Sequence, residues 1–231
     1  MKAVRIEGYM GSAQFNIPGW CGNHERTYPL PPYSTVIGMV HALCGWKEYH
    51  DMKVSVAGNG IFNTSVVKRW RGGAYSRIET DEFKNRFPVR VRGRNGYIGF
   101  VDGPVTAESI NDLYLRFHVV PAVEEDIEKI YDAFVNPPVY PSCGRHEDLI
   151  RIDDVSITDI SSEKYVSMTD MCAYKPYSHD DNTFGTVYII HKKYRIKNNR
   201  RIFDDVNALY IDRDTEVLSF ADNDGHPVFL A

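Results

Sequence analysis

The sequence predicts an α+β fold, a ferredoxin-type βαβ unit followed by a smaller, mostly antiparallel β region. Two observations lead to this prediction. Apolar residues recur at helical spacing in only two segments, 34–49 and 124–135, and the stretches between and before them alternate apolar and polar residues. Beyond residue 150 the helical periodicity fades and short alternating runs replace it. We therefore predict two units, 1–150 and 151–231.

The first unit is predicted to open with a strand, because residues 4–7 alternate apolar and charged side chains. A loop over 11–33, rich in glycine and proline, then leads into the first helix. Ser34 is its expected N-cap and Tyr49 its expected end. Gly38 lies inside this helix, where glycine costs about 1 kcal/mol relative to alanine, so we expect close packing around it.

The second helix is predicted over Glu124–Val135, with acidic residues in the first turn and prolines after the last. Further strands are predicted at 54–62, 97–101, 113–120, 187–190, 195–196, 209–211, 217–220 and 228–230. The run Asp222–Gly225 opens like a calcium loop but lacks its closing glutamate, so we read it as a hairpin turn.

The composition is that of an ordinary globular protein, with 43% hydrophobic and 25% charged residues. Four separated cysteines form no C-x-x-C pair, so we expect free thiols and neither a metal nor a cofactor. No apolar run is long enough for a membrane span, and residues 1–5 do not resemble a signal peptide. A cytoplasmic protein with no membrane partner is therefore expected.

The charge is unevenly distributed, which points to a nucleic-acid partner. The chain carries −4 overall, yet residues 68–94 hold nine basic and three acidic side chains, a net charge of +6. Arginine predominates there and aromatic residues are interleaved, a combination typical of single-stranded RNA recognition. The alternative is a solvated charged hairpin. A second basic run, 192–201, has six basic residues and no acid, and there a solvated hairpin is at least as good an interpretation.

Among the eight histidines, His24 and His146 lie in predicted loops beside arginines and are the better functional candidates. His41 is expected to be packed on the first helix, and His118 alternates along a strand. The sequence contains no G-x-S-x-G, Walker A or H-E-x-x-H motif. Its chemistry therefore favours binding over catalysis.

Two segments carry a resemblance to a known family. Arg26–Val40 forms a proline-rich entry to the first helix, and Pro141–Glu147 matches a glycine loop of the form Pro-Tyr-Leu-Gly-Arg-x-Glu, with Ser142 and Cys143 replacing the usual aromatic and aliphatic residues. Together, and flanking a basic hairpin, they resemble CRISPR-associated family five of the RAMP superfamily. This family is a subunit of the type I Cascade complex, and the chain is most similar to its non-processing, type I-B-like branch.

The resemblance implies an RRM-like domain with a β-hairpin "thumb" within about 64–96, plus a small C-terminal β region. It implies binding of the 5′ handle of CRISPR RNA (crRNA), contact with the backbone and large subunits, and proximity to target DNA near the PAM end. Glycines at such a loop let backbone N–H groups approach phosphate. Arg26 and Arg145 would clamp phosphates, and Trp20 and Tyr28 would stack a base, with loop packing as the alternative for both aromatics.

The predicted RNA-binding residues are Trp20, His24, Arg26, Tyr28, Arg69, Arg71, Arg77, Arg86, Arg90, Arg92, Arg94, Gly144, Arg145 and His146.

Processing members of this family resemble one another in a tyrosine and a Lys-His pair near the start of helix two. Residues 122–126 carry an acidic turn instead, a poor place to stabilise the charge that develops in RNA cleavage. We therefore expect a non-catalytic binder. The alternative is a metal-independent endoribonuclease using Tyr28, His24 or His146. A third reading is a generic RRM-like protein outside any assembly, but its paired aromatic motif is absent.

Overall fold

The computed structural model describes residues 1–18, 24–76, 87, 89–93, 96–168, 170–178, 183–198 and 200–231. Within them two helices and twelve strands are formed. They are β1 (Lys2–Ala13), β2 (His24–Glu25), α1 (Tyr33–Cys44), β3 (Met52–Ser76), β4 (Val89–Gly93), β5 (Gly96–Pro121), α2 (Asp126–Val135), β6 (Arg151–Asp159), β7 (Lys164–Ser167), β8 (Cys172–Pro176), β9 (Thr186–Lys197), β10 (Arg200–Ile211), β11 (Glu216–Ala221) and β12 (Pro227–Val228).

The main sheet has the strand order β6-β1-β5-β3-β8-β10-β9. Its first four strands are antiparallel to their neighbours, and α1 and α2 connect β1 to β3 and β5 to β6. This is the βαββαβ order of a ferredoxin-type unit, with β1 and β5 in the centre. The predicted α+β fold is confirmed.

The core lies between this sheet and the two helices. Alternation along β1 sends Val4, Ile6 and Met10 to the helix-covered face, where all three are fully buried. Val40 of α1 and Ile130 of α2 belong to the same buried cluster. Each such side chain contributes roughly 1.5–3 kcal/mol of hydrophobic stabilisation, which makes this layer the main support of the fold.

The thumb is the part of the β3–β5 hairpin that extends beyond the core. Pairing between the two strands runs from Met52↔Pro121 to Ser76↔Tyr97, and β4 adds a third strand against the outer end of β5. The apolar side chains of Ile61, Phe62 and Val66 are 64%, 55% and 73% exposed, as expected once the ribbon leaves the core. Of the thumb implied within about 64–96, residues 64–76 and 89–93 pair with β5, and the pairing extends beyond those bounds. The predicted strands 97–101 and 113–120 belong to one continuous strand.

Helix α1 differs from its prediction at both ends. The N-cap position is Pro32, whose carbonyl accepts hydrogen bonds from Thr35 N at 2.9 Å and Val36 N at 3.4 Å, so Ser34 is not the cap. The helix ends at Cys44 because Gly45 adopts a left-handed conformation with φ of 67°. Gly38 is exposed, and nothing lies within 4 Å of where its Cβ would be, so the expectation of close packing was wrong.

Strands from the second half of the chain enter both sheets. β6 pairs with β1, β8 and β10 extend the main sheet beyond β3, and β7, β11 and β12 form a separate three-stranded sheet. The division at residue 150 stays a prediction, although β6 hydrogen-bonds to the first strand of the chain. Residues 222–226 connect β11 and β12, which confirms the predicted hairpin turn.

Neither helix in the described part of the chain has the length and apolar composition needed to cross a membrane.

Candidate nucleic-acid interface

The base of the thumb gathers residues that are far apart in sequence. β2 pairs in parallel with β5, His24 opposite Thr106 and Glu25 opposite Ala107, which places residues 24–26 beside the thumb. Arg69 on β3 reaches Glu25, with Nη2 3.3 Å from Oε2. Arg26 reaches Glu108 of β5, with Nε 3.5 Å from Oε1.

His24, Arg26 and Arg69 therefore share one surface at this base. The side chain of Arg26 is 47% exposed and that of Arg69 is 42% exposed, and His24 is exposed as well. Each arginine is oriented by one carboxylate and still presents N–H groups to solvent. All three were predicted from the sequence to bind RNA, and that role stays a prediction.

The glycine loop is held together from within. Arg145 donates from Nε and Nη2 to the two carboxylate oxygens of Asp148, at 2.9 and 2.8 Å, and its Nη1 lies 3.3 Å from Glu147. Hydrogen bonding to Asp148 raises the pKa of Arg145 above its ordinary value. The Asp148 side chain is only 4% exposed, so Arg145 neutralises a buried carboxylate. Arg145 thus supports the loop from within, and its predicted contact with phosphate stays a prediction.

Gly144 adopts φ of 121°, a conformation that side-chain-bearing residues rarely take. A Cβ there would lie 3.3 Å from Asp148 Oδ2 and 3.4 Å from the ring of Phe15. The loop therefore needs glycine for both conformation and space. His146, two residues further on, is 98% exposed and pairs with Glu147 at 2.9 Å.

Tyr28 does not have the position predicted for it. Its side chain is buried, at 4% exposure, and its hydroxyl donates to the carbonyl of Ile189 at 2.8 Å. The ring packs edge-on against Tyr188, with 6.0 Å between centroids. Burial raises the pKa of its hydroxyl. Tyr28 is a packing residue: it offers no open ring face to a base and is poorly suited to proton transfer.

The outer thumb carries the exposed arginines. Arg90 and Arg92 on β4 are both exposed, and their separation by two residues places them on one face of the strand. Phe87 anchors the approach to β4, because a Cβ at Gly99 would lie 2.5 Å from its ring. Trp20, Arg77, Arg86 and Arg94 lie outside the described residues, as does the side chain of Arg71 on β3.

Sequence reasoning did not anticipate one groove. It lies between α1, the segment 46–49 that follows it, and residues 192–195 and 203–204 of the β9–β10 hairpin, and it encloses about 1010 Å³. Ser142 and Gly144 line it as well. We call it the α1 groove. The basic run 192–201 was the available signal, but only the fold brings it against the first helix.

A cluster with metal-type ligands lies elsewhere. Asp222, Asp224 and His226 place their ligand atoms within 4.8 Å of one another. However, Asp222 Oδ2 already accepts hydrogen bonds from Arg5 Nη1 at 3.2 Å, His118 Nε2 at 3.1 Å and His226 Nδ1 at 2.9 Å. Arg5 also pairs with Asp224. These carboxylates serve to join the small sheet to the main one.

Comparison with known proteins finds similarity in three-dimensional structure only. The sequence matches no protein-family model and no curated protein. A solved structure titled "CRISPR RNA-guided surveillance complex" superposes with a TM-score of 0.52 at 15% identity, covering 94% of this chain and 91% of that one. What this likeness shows is a shared fold over almost the whole chain.

Two further solved structures align less well. One titled "Crystal structure of Cas protein" has a TM-score of 0.43 at 10% identity and covers 94% of each chain. A CRISPR protein from Archaeoglobus fulgidus has a TM-score of 0.45 at 14% identity and covers 100% of this chain and 99% of that one.

Proposed function

We propose that this protein is a non-catalytic RNA-binding subunit of a type I CRISPR Cascade surveillance complex. In this proposal it holds the 5′ handle of crRNA, caps one end of the backbone filament and contacts the large subunit. The observation that carries the proposal is the thumb. The segment 68–94, the most basic of an acidic chain, contributes residues 68–76 of β3 and all of β4 to this hairpin, with Arg90 and Arg92 exposed on it.

Phosphate binding is the chemistry that such a surface supports. Arginine pairs with phosphate through two parallel N–H donors, and it stacks on bases with its planar group. Arg26 and Arg69 at the thumb base add two partly exposed guanidinium groups to the same hairpin. The resemblance of the proline-rich entry and the glycine loop to CRISPR-associated family five, and the fold shared with a surveillance-complex protein, support crRNA as the ligand.

Two features support binding without cleavage. The hydroxyl of Tyr28 is engaged by a backbone carbonyl, which leaves this candidate acid or base occupied. Helix α2 opens with Asp126 and Glu128 in its first turn, where anionic side chains would repel the charge that develops on a phosphate.

The test removes charge from the thumb. In the double variant Arg90→Gln, Arg92→Gln we expect weaker binding of a labelled single-stranded repeat RNA, measured by fluorescence anisotropy over a range of salt. Each lost phosphate contact should make the plot of log affinity against log salt shallower by about 0.7, so two contacts give about 1.4. Lys164→Gln, Arg213→Gln is the matched control, because both residues are exposed and lie outside the thumb. Equal affinity and slope for all three proteins would reject the proposal.

Assembly is tested separately, by reconstitution with the backbone and large subunits. Wild-type protein should join an RNA-containing complex, and the thumb variant should join it less completely. Failure of the wild-type chain to associate with either subunit would reject the Cascade role while leaving RNA binding intact.

A further inference from the structure

The α1 groove brings the second basic run of the sequence against the first helix. Four basic residues line it, Lys47, Lys192, Lys193 and Arg195, whereas its acidic lining is Glu48 and Asp204. Arg195 and Asp204 pair with each other across the hairpin at 3.2 Å. The remaining lining is therefore basic by two charges, in a protein whose net charge is −4.

Within the described ranges Lys192 and Lys193 lack a close anionic partner, and Asp51 acts on Lys192 only from beyond ion-pairing distance. No carboxylate in the described ranges lies within ion-pairing distance of Lys192 or Lys193. Lys192 is partly buried, and this burial lowers its pKa. A charged ammonium withdrawn from water without a partner costs free energy, which a bound anion would recover.

Aromatic rings alternate with these charges. Tyr49 stacks on His41 with 5.5 Å between the ring centroids and an angle of 17° between the ring planes. Lys193 Nζ lies 5.8 Å from the centroid of the same Tyr49 ring. Tyr194, 41% exposed, meets Phe203 across the hairpin at 5.8 Å. Cationic groups interleaved with aromatic faces form the kind of surface on which single-stranded nucleic acid stacks its bases while its phosphates are neutralised.

The α1 groove also reaches the glycine loop. Gly144 and Ser142 line the groove, and the next residue, Arg145, is held by Asp148. Hydrogen bonding to Asp148 is the main cause that raises the pKa of Arg145, and the carboxylate of Glu25, which pairs with Arg69 on β3, adds a smaller electrostatic contribution. The groove therefore ends at the glycine loop, which the family resemblance also assigns to RNA.

We propose that the α1 groove is a second RNA-binding segment, in which Lys192, Lys193 and Arg195 bind the phosphates of single-stranded RNA and the adjoining aromatic rings stack its bases. This inference rests on the proposed function, because it extends the same RNA from the thumb to the C-terminal hairpin. An acidic peptide would satisfy the lysines but would make no use of the exposed rings of Tyr49 and Tyr194, on which bases can stack, so RNA is the occupant that the groove favours.

The experiment uses the full chain and the same labelled single-stranded repeat RNA. In the triple variant Lys192→Gln, Lys193→Gln, Arg195→Gln we expect affinity near 0.15 M salt to fall roughly tenfold and the salt slope to decrease by about 2, corresponding to three lost contacts. The control is Lys2→Gln, Lys164→Gln, Arg213→Gln, three exposed residues elsewhere with the same loss of charge. Circular dichroism and melting temperature verify that each variant is folded.

A second readout separates stacking from charge. RNA carrying 4-thiouridine should crosslink to Tyr49, Tyr194 or Phe203 on irradiation, identified by mass spectrometry, and the triple variant should lose these crosslinks. Loss of affinity in the thumb variant with no change in the groove variant, and no crosslink in the groove, would overturn this inference while leaving the proposed function standing. Unchanged binding in both variants would overturn the two together. Normal RNA binding by the groove variant with loss of a subunit from the reconstituted complex would assign the groove to a protein partner instead.

Discussion

At the scale of single residues, the carboxylate of Asp222 is the most highly connected polar group in the described part of the chain. Its side chain is fully buried, and it receives hydrogen bonds from three side chains as well as from the N–H groups of Asp224 and His226. Burial alone would raise the pKa of this carboxyl, but hydrogen bonds from His118 and His226 outweigh burial and hold it well below its ordinary range. Burial lowers the pKa of His118.

These shifts predict acid sensitivity. Both groups have lower pKa values in the folded state than in the unfolded state, so their stabilisation is present above the unfolded values and is lost as pH falls. Loss should begin below about 6.5 through His118 and continue below about 3.9 through Asp222. Asp222→Asn should reduce the unfolding free energy by roughly 1–3 kcal/mol near neutral pH, because the neutral amide is a weaker acceptor for the buried donors of His118 and Arg5, while Arg5 keeps its pair with Asp224.

Urea unfolding of Asp222→Asn and wild type across this range measures the effect, with the exposed Asp170→Asn as control. The difference between Asp222→Asn and wild type should shrink towards acid pH, whereas Asp170→Asn should follow wild type throughout. A constant difference at all pH values would contradict this account.

At the scale of elements, α1 shows how one residue type has opposite roles at two positions. Gly38 is mid-helix and exposed, with open space where a Cβ would stand, so nothing in the structure explains it there. Gly45 ends the same helix with φ of 67°, and its N–H donates to the carbonyl of Ala42 at 3.3 Å. Backbone conformation alone separates the two glycines.

Substitution by alanine should therefore change stability in opposite directions. Gly38→Ala should raise the unfolding free energy by about 0.5–1 kcal/mol through helix propensity. Gly45→Ala should lower it by about 1 kcal/mol or more, because a Cβ is strained in the left-handed region. Thermal unfolding of the two variants checks this, and each serves as the control for the other. Stabilisation by both would show that the helix continues past Cys44.

The strands and helices were predictable because periodicity reports which face is buried. The ends of α1 were less predictable, because a helix cap depends on backbone geometry. Pro32 takes the N-cap position expected for Ser34, and Gly45 ends the helix before Tyr49. Strand length was underestimated, since residues 102–112 join two predicted strands without clear alternation.

The candidate site, too, was only partly predictable from the sequence. Clustered charge along the chain indicated a nucleic-acid partner, and the family resemblance implied the thumb. That His24 and Arg26 lie next to the thumb depends on the β2–β5 pairing, which the sequence did not predict. The burial of Tyr28 depends on its contact with Ile189, which lies far along the chain. The Arg145–Asp148 pair depends on a turn geometry that residue spacing does not encode. The α1 groove needs residues 34–49 and 192–204 together, so only the fold could reveal it.

At the scale of the whole molecule, the proposed role requires RNA to be retained. A subunit that caps a filament must hold its RNA for the life of the complex, whereas a nuclease must release its product. We expect the isolated protein to bind RNA weakly and to leave it intact. Two separate basic surfaces, the thumb and the α1 groove, each too small for tight binding alone, are consistent with that expectation.

Incubation of the purified protein with precursor repeat RNA in EDTA tests this prediction, with a metal-independent ribonuclease as the positive control. The RNA should remain full length on a denaturing gel. Cutting at a single position in the repeat, abolished by His146→Ala or by Tyr28→Phe, would establish the endoribonuclease alternative.

The thumb also gives this small protein a long reach. Its outer portion from Ile61 to Ser76 extends roughly 50 Å at about 3.4 Å per residue. A register shift between Asn59 and Ile61 interrupts the pairing where the ribbon leaves the core. Bulges bend and twist a strand locally, so the direction of the outer ribbon is set at this point, where Gly60 packs against Ile110 and Leu113 of the core. A neighbouring subunit that binds the outer end of the thumb can change its direction without disturbing the core between the main sheet and the two helices.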